Sequence, residues 1–112
     1  MLPAPPMKWN DQLEHAASVH AADMYKNNYF GHLSKSGKTF KDRIRGAGYT
    51  ISGYSSFYVG ENIARGQRSI QEVMDDWFKS EGHCKNLMNP SFTEVGVAKN
   101  NLYWVQDFGG RK

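Results

Sequence analysis

The chain is poor in cysteine and proline and has no long hydrophobic run. Cys84 is the one cysteine among 112 residues, which excludes an internal disulfide and a cysteine-based metal site. No apolar stretch approaches the roughly 20 residues that a membrane-spanning helix needs, and no signal-peptide pattern opens the chain. Three of the four prolines lie within the first six residues. They predict an extended lead-in over residues 1–8.

The usual signatures of catalysis are missing as well. The chain has no His-Glu-x-x-His, no Gly-x-Ser-x-Gly, no phosphate loop and no Gly-x-Gly-x-x-Gly. Their absence argues against an ordinary enzyme. The net charge of +3 is mild, and a loose basic cluster between Lys35 and Arg45 predicts a solvated face. The alternative for this cluster is an anionic partner such as a lipid headgroup or a cell-wall polymer. Nucleic acid is the weakest candidate, since no nucleic-acid-binding motif is present.

Length and composition indicate one domain over residues 1–112. A chain of this size buries about two-thirds of its unfolded surface and folds without disulfides. Aromatic residues make up 13% of the chain. We expect the bulky ones, such as Trp9, Trp77, Phe92 and Trp104, to fill the core.

The hydrophobic pattern predicts helices followed by a hairpin. Apolar residues spaced by three and four predict a helix over 11–27, and Thr39 with Asp42 predicts a capped short helix over 40–45. Ser69 and Glu72 form a capping box before a helix whose buried stripe is Ile70, Val73, Met74, Trp77 and Phe78. A further short helix over 81–87 is predicted. Strands are predicted at 57–59, 95–98 and 102–108, with 60–62 as a tight segment and 109–112 as a frayed tail. This order favours an α+β fold.

Three residues, each within a distinctive short motif, are the candidates for a functional site. His32 follows Phe30-Gly31, Glu61 lies in Gly60-Glu61-Asn62-Ile63-Ala64, and His83 ends Ser80-Glu81-Gly82-His83. Histidine together with a carboxylate can bind a divalent metal or move a proton. Structural roles stay open: a backbone hydrogen bond for His32, loop anchoring for Glu61 and a helix-end position for His83.

The remaining histidines and the cysteine offer weaker alternatives. His20 lies three residues before Asp23, so either an exposed pair or a core histidine is expected. A metal set of His20, Asp23 and His32 has no strong spacing support. His83 and Cys84 are adjacent, which on a helix points their side chains about 100° apart and argues against a dyad.

Five motifs in order resemble the bacterial branch of the CAP superfamily, which includes cysteine-rich secretory proteins, antigen 5 and pathogenesis-related proteins. They are Trp9-Asn10-x-x-Leu13-x-x-Ala16-Ala17, Phe30-Gly31-His32, Gly60-Glu61-Asn62-Ile63-Ala64, Trp77-x-x-Ser80-x-Gly82-His83 and Trp104-Val105-Gln106-Asp107-Phe108-Gly109. The resemblance implies an α-β-α sandwich with a small antiparallel sheet between helices. It also implies that the chain is trimmed at its N-terminus and that the protein is secreted or belongs to the cell envelope.

The same resemblance implies a central cleft lined by two histidines and two acidic residues, which binds zinc or another divalent ion in some members. His32, Glu61 and His83 match three of the four positions, with the histidines as metal ligands. Ser80 stands at the fourth, where many eukaryotic members have Glu. The resemblance therefore implies a cleft with fewer ligands and weaker metal binding.

Three functions follow as hypotheses. The first is a binding module whose cleft takes a metal and a lipid, sterol or cell-wall glycan. The second is a metal-assisted, protease-like hydrolase in which Glu61 acts as general base. The third is a structural or partner-binding domain with a vestigial site. The sequence indicates neither the ligand nor the oligomeric state.

Overall fold

A computed structural model describes residues 7–112 of the chain. Its elements in order are β1 (Lys8–Trp9), α1 (Asp11–Asn27), α2 (Phe40–Gly46), β2 (Phe57–Arg65), α3 (Ile70–Lys79), α4 (Glu81–Leu87), β3 (Glu94–Asn100) and β4 (Tyr103–Arg111). The four strands form one sheet in the order β1-β3-β4-β2. Within this part of the chain no helix is long and apolar enough to span a membrane.

The sheet is held between two helical layers. One face packs on α1 and α2 through residues such as Ala17, Met24 and Val105. The opposite face packs on α3 and α4 through Trp77 and Leu87. The predicted α+β sandwich is therefore confirmed. The sheet is mixed, because the two-residue β1 runs parallel to β3 while the other pairs are antiparallel.

Helices α1, α2 and α3 begin where a capping side chain satisfies a free backbone N–H group, whereas the Ser80 side chain makes no such bond at the start of α4. The Asn10 side chain accepts from Leu13 N–H at the start of α1. Thr39 and Asp42 form the expected capping box of α2. Before α3 the Ser69 side chain accepts from Glu72 N–H, but the Glu72 carboxylate accepts from Arg68 N–H and not from Ser69, so only half of the predicted box is formed. The predicted bounds of α1 and α4 are confirmed.

Some predictions about the core were wrong. Trp9 is 52% exposed because it lies on the short edge strand β1. Ile70 and Phe78 are 53% and 51% exposed, so the buried stripe of α3 is narrower than predicted and centres on Val73 and Trp77.

The chain ends needed correction too. Residues 109–111 do not form a frayed tail; they continue β4 and pair with β2 on one side. Of the predicted lead-in over 1–8, residues 1–6 lie outside the described part, and Lys8 pairs with Glu94 as part of β1.

Candidate functional site: a buried carboxylate behind a histidine

Glu61 lies in the middle of strand β2, not in the tight segment predicted for 60–62. Side chains alternate between the faces of a strand. Glu61 therefore points to the α1 and α2 side, while its neighbours Gly60 and Asn62 point to the α3 and α4 side. Gly60 is required there, since a Cβ atom would lie 2.6 Å from the Phe92 ring. Strand β2 thus places the Glu61 carboxylate in the buried layer between the sheet and helices α1 and α2.

The Glu61 carboxylate is held by an arginine and a histidine. Arg43 Nη2 lies 2.9 Å from Glu61 Oε1 and 2.7 Å from Oε2, and His32 Nδ1 lies 2.9 Å from Oε1. The Glu61 side chain has no exposed surface, and that of Arg43 is 4% exposed. His32 is 51% exposed. A buried ion pair therefore stands directly behind an accessible imidazole.

Arg43 also fixes the loop that carries His32. Its Nη1 donates to the His32 carbonyl at 2.8 Å, to Ser34 Oγ at 3.0 Å and to the Lys38 carbonyl at 3.3 Å. Both the ring and the backbone of His32 are thus tied to one arginine–glutamate pair. Arg43 does not belong to the solvated basic face that the sequence predicted for 35–45, because it is buried.

Hydrogen bonding keeps Glu61 ionised despite its burial. Burial alone would raise the pKa of Glu61, but the hydrogen bond from His32, the neighbouring Asp107 and the charge of Arg43 lower it below the ordinary value. An ionised carboxylate only accepts, so His32 Nδ1 carries a hydrogen and Nε2 is the ring nitrogen that does not face Glu61. Glu61 therefore orients His32; with both oxygens engaged and no exposed surface, it is poorly placed as a general base for water.

His83 lies on α4, in the helical layer on the other side of the sheet. Burial, and then the charge that a protonated His32 carries, lower the pKa of His83, so His83 favours its neutral form. Its backbone carbonyl accepts from Asn62 Nδ2 at 3.3 Å. Asn86, one turn further along α4, donates to the Glu61 carbonyl at 3.2 Å and to Asn62 Oδ1 at 2.9 Å. These amides fix α4 against β2.

A cavity of about 280 Å³ adjoins His83. It is lined by apolar groups from Phe30, Ile63 and Trp77 and by the polar side chains of Ser80 and Asp76. Ser80 and His83 line this cavity, whereas Glu61 lies behind His32 and neither of those two residues is among its lining residues.

His20 takes no part in that region as a ligand. It is fully buried on α1, and its Nε2 donates to the Gly31 carbonyl at 2.7 Å. The exposed pair with Asp23 was therefore wrong, and the core interpretation is confirmed. Asp23 instead accepts from Tyr29, Asn27 and the backbone N–H of Lys35.

Two residues of the site were missed by the sequence analysis. Arg43 belongs to an Asp42-Arg43-Ile44 segment and lies 18 residues from Glu61 in sequence. Asp107 is the cross-strand partner of Glu61 and is fully buried. An aspartate within the predicted strand over 102–108, next to Gln106, was the available signal, since a buried carboxyl needs a partner.

Among residues 7–112 there is no group of three or more His, Cys, Asp or Glu side chains arranged to hold a metal ion. The carboxylate nearest the histidines is occupied by Arg43. A metal role for His32 and His83 therefore stays a prediction.

The fold and the site define a sandwich domain with a histidine cleft backed by a buried carboxylate. The model of the cysteine-rich secretory protein family, CAP, matches residues 1–108. The chain belongs to this family.

Several bacterial proteins are similar to this chain in sequence or in fold. YkwD of Bacillus subtilis is 36% identical over 108 residues, which is 95% of this chain and 40% of YkwD. The crystal structure of an extracellular protein containing an SCP domain, from Bacillus anthracis, superposes with a TM-score of 0.84 at 35% identity, covering 94% of this chain and 34% of that one. An outer surface protein of Borrelia burgdorferi matches at 23% identity and a TM-score of 0.80. That match covers 97% of this chain and 80% of the Borrelia chain, and it supports the fold.

Proposed function

We propose that the chain is a secreted or envelope-associated CAP domain whose cleft binds a divalent cation through His32 and His83. Zinc is the cation that we propose first. The observation that carries the proposal is the hydrogen bond from His32 Nδ1 to a buried, ionised Glu61. Metal-binding histidines commonly donate their second ring nitrogen to a carboxylate in this way, which fixes the tautomer and strengthens the ligand. His83, whose pKa is lowered, supplies a second neutral imidazole.

The donor set fits a weak, open site rather than a closed structural one. Two imidazoles suit zinc, and a closed structural site would need four protein ligands. A bound cation would supply positive charge and open coordination positions at the mouth of the cleft. The adjoining cavity of about 280 Å³ would receive a small ligand or one segment of an extended one. Its Phe30 and Trp77 walls favour an apolar part, and Ser80 offers a hydroxyl.

The proposed location is supported by the family and by one relative. The family is named for secretory proteins, and the Bacillus anthracis protein of 35% identity is described as extracellular. Because the chain spans 40% of YkwD and 34% of the Bacillus anthracis chain, it matches one part of these longer proteins. The activity of a whole protein of this kind would depend on further segments as well.

Titration calorimetry with zinc chloride near pH 7.5 tests the metal site. We expect micromolar binding to the wild type and none to His32→Ala/His83→Ala. The matched control is His15→Ala, because His15 is exposed on α1 and is not among the residues placed at the cleft. It should bind zinc as the wild type does.

Equal zinc binding by all three proteins would place the cation elsewhere and contradict the proposal. Absence of binding in all three would leave the cleft without a metal, and the domain would then be a metal-free binding module. Thermal shift measurements give an independent check, since a ligand that binds only the folded state raises the melting temperature.

A further inference from the structure

Asp107 is a buried acidic residue that the proposed cation site does not use. It lies on β4 directly opposite Glu61 of β2, and both side chains point to the layer of α1 and α2. Asp107 is 0% exposed, and neither carboxyl oxygen has a hydrogen-bond donor among the residues described. A bare ionised carboxylate in such a place would be strongly unfavourable.

Among the described residues, no cation forms an ion pair with Asp107. Arg43 of α2 uses its Nη1 and Nη2 groups on the His32 loop and on Glu61, and its buried Nε has no hydrogen-bond partner among those residues. The titratable group that α1 buries in this layer is His20, whose pKa is lowered by burial, so it favours the neutral form. On β3, the partner opposite Asp107 is Gly96, which has no side chain. The remaining neighbour is the Glu61 carboxylate itself.

Glu94 completes the charged groups on this face of the sheet. It lies on β3 opposite Gly109, one pair beyond Asp107 on the same face. Its carboxylate is engaged by Tyr49 Oη at 2.7 Å, by Asn10 Nδ2 at 3.1 Å and by Arg111 Nη2 at 3.4 Å. Arg111 is therefore paired with Glu94 and does not form an ion pair with Asp107.

We propose that Asp107 is a positioning residue that keeps its proton at neutral pH and donates it to Glu61. The two carboxyl groups then carry one negative charge between them, and Arg43 balances that charge. Glu61 receives hydrogen bonds from three directions: from Arg43, from His32 and from Asp107. This arrangement fixes the carboxylate that orients the ring of His32.

The electrostatics of the pair agree with this geometry. Burial, and then the charge of Glu61, raise the pKa of Asp107 well above its ordinary value, while the pKa of Glu61 is lowered. Two carboxyl groups whose pKa values are pushed in opposite directions act as one acid and one carboxylate. Arg43 and His32 both donate to Glu61 while no described donor reaches Asp107, so the geometry assigns the proton to Asp107 and the shifts agree with it.

The proton on Asp107 matters for the orientation of His32, and any use of that ring as a ligand rests on the proposed cation site. A doubly ionised pair would leave one buried negative charge unbalanced by Arg43. With a single charge in the pair, Glu61 stays fixed between Arg43 and His32.

Carbon-13 NMR of the metal-free wild-type protein tests the assignment directly. With aspartate and glutamate carboxyl carbons labelled, we expect the Asp107 signal to stay at its protonated position from pH 4.5 to 7, while the Glu61 signal stays ionised. Ionisation of Asp107 near pH 4, or a protonated Glu61 beside an ionised Asp107, would overturn the proposal. No zinc is present, so failure here is separate from failure of the cation site.

Asp107→Asn supplies the second measurement, since it keeps an N–H donor for Glu61 and cannot ionise. A carboxyl whose folded pKa is raised stabilises the fold below the unfolded pKa of about 3.8 and loses that stabilisation as pH rises. The unfolding constant of the wild type relative to Asp107→Asn should therefore grow, by up to about tenfold per pH unit, above pH 4. A ratio that stays flat between pH 4 and 7 would overturn the proposal.

Two comparison variants distinguish the effect of losing the hydrogen-bond donor at Asp107 from the effect of losing its ionisable charge. Asp107→Leu removes the donor, so it should be less stable than Asp107→Asn by a factor that does not change with pH. Asp75→Asn, at an exposed position on α3, should leave the ratio to wild type unchanged from pH 4 to 7. Equal stability of the Leu and Asn variants would contradict the hydrogen bond to Glu61.

Discussion

At the scale of single residues, the site depends on how one buried charge is compensated. Glu61 loses its hydration completely, and it regains contacts from Arg43 at two positions and from His32 at one. A buried ion pair of this kind contributes little net stability compared with apolar residues. Removing one partner is costly, because the other remains buried and charged.

Glu61→Gln should therefore be strongly destabilising. The amide keeps the shape of the side chain but leaves the Arg43 guanidinium without its counter-charge, at a cost of about 3–5 kcal/mol of unfolding free energy. Urea denaturation at pH 7 measures it. The control is Glu81→Gln, whose side chain is 84% exposed in a 3.7 Å pair with Lys85 and should change stability by less than about 1 kcal/mol. A similar small loss for both variants would contradict the buried pair.

The three residues first singled out could be found from the sequence because each lies in a short motif. Arg43 and Asp107, which lie beside Glu61, could not be identified as site residues in this way. Arg43 reads as one more cation between Lys35 and Arg45, and only the packing of α2 on the end of β2 turns it inward. Asp107 meets Glu61 through the register of β2 and β4, which no local pattern specifies.

At the scale of elements, α1 packs closely on the sheet. A Cβ atom at Gly96 of β3 would lie 2.1 Å from the backbone nitrogen of Glu14 in α1. The absence of a side chain at Gly96 therefore lets the helix backbone rest directly on the strand. Capping boxes and apolar spacing predicted the helices well because those signals are local. The length of β2 was underestimated because polar Glu61 and Asn62 interrupt its apolar pattern while being buried by partners far away in sequence.

Gly96→Ala should push α1 away from the sheet. The clash is with backbone atoms, which cannot rotate aside, so we expect a loss of about 1–3 kcal/mol or more, measured by thermal denaturation. Gly82→Ala in α4 is the matched control. A Cβ there meets nothing within 4 Å, and alanine favours a helix, so stability should stay equal or rise by up to about 1 kcal/mol. If Gly96→Ala behaved like Gly82→Ala, the close approach of α1 would be wrong.

At the scale of the whole molecule, β4 joins the two helical layers and both neighbouring strands. It pairs along its length with β2 and β3, and its end contributes Arg111, whose guanidinium lies 4.0 Å from the centre of the Tyr49 ring. Arg111 also lies 3.4 Å from Glu94. The glycines at 109 and 110 suggested a tail. They are instead required by packing, since a Cβ at Gly109 would lie 2.4 Å from Tyr49 and one at Gly110 would lie 1.7 Å from the Ser91 carbonyl oxygen.

Deletion of residues 109–112 should therefore destabilise the entire domain. The deletion removes the pairing of Phe57, Tyr58 and Val59 with the end of β4. Each lost hydrogen bond contributes about 1 kcal/mol, so the melting temperature should fall by about 10 °C or more in a chain of this size. Circular dichroism during heating measures the fall. Lys112→Ala is the control: it alters an exposed side chain and leaves the backbone carbonyl that Ser56 N–H binds, so its melting temperature should match the wild type. A deletion as stable as this control would show that the last strand residues do not hold the sheet together.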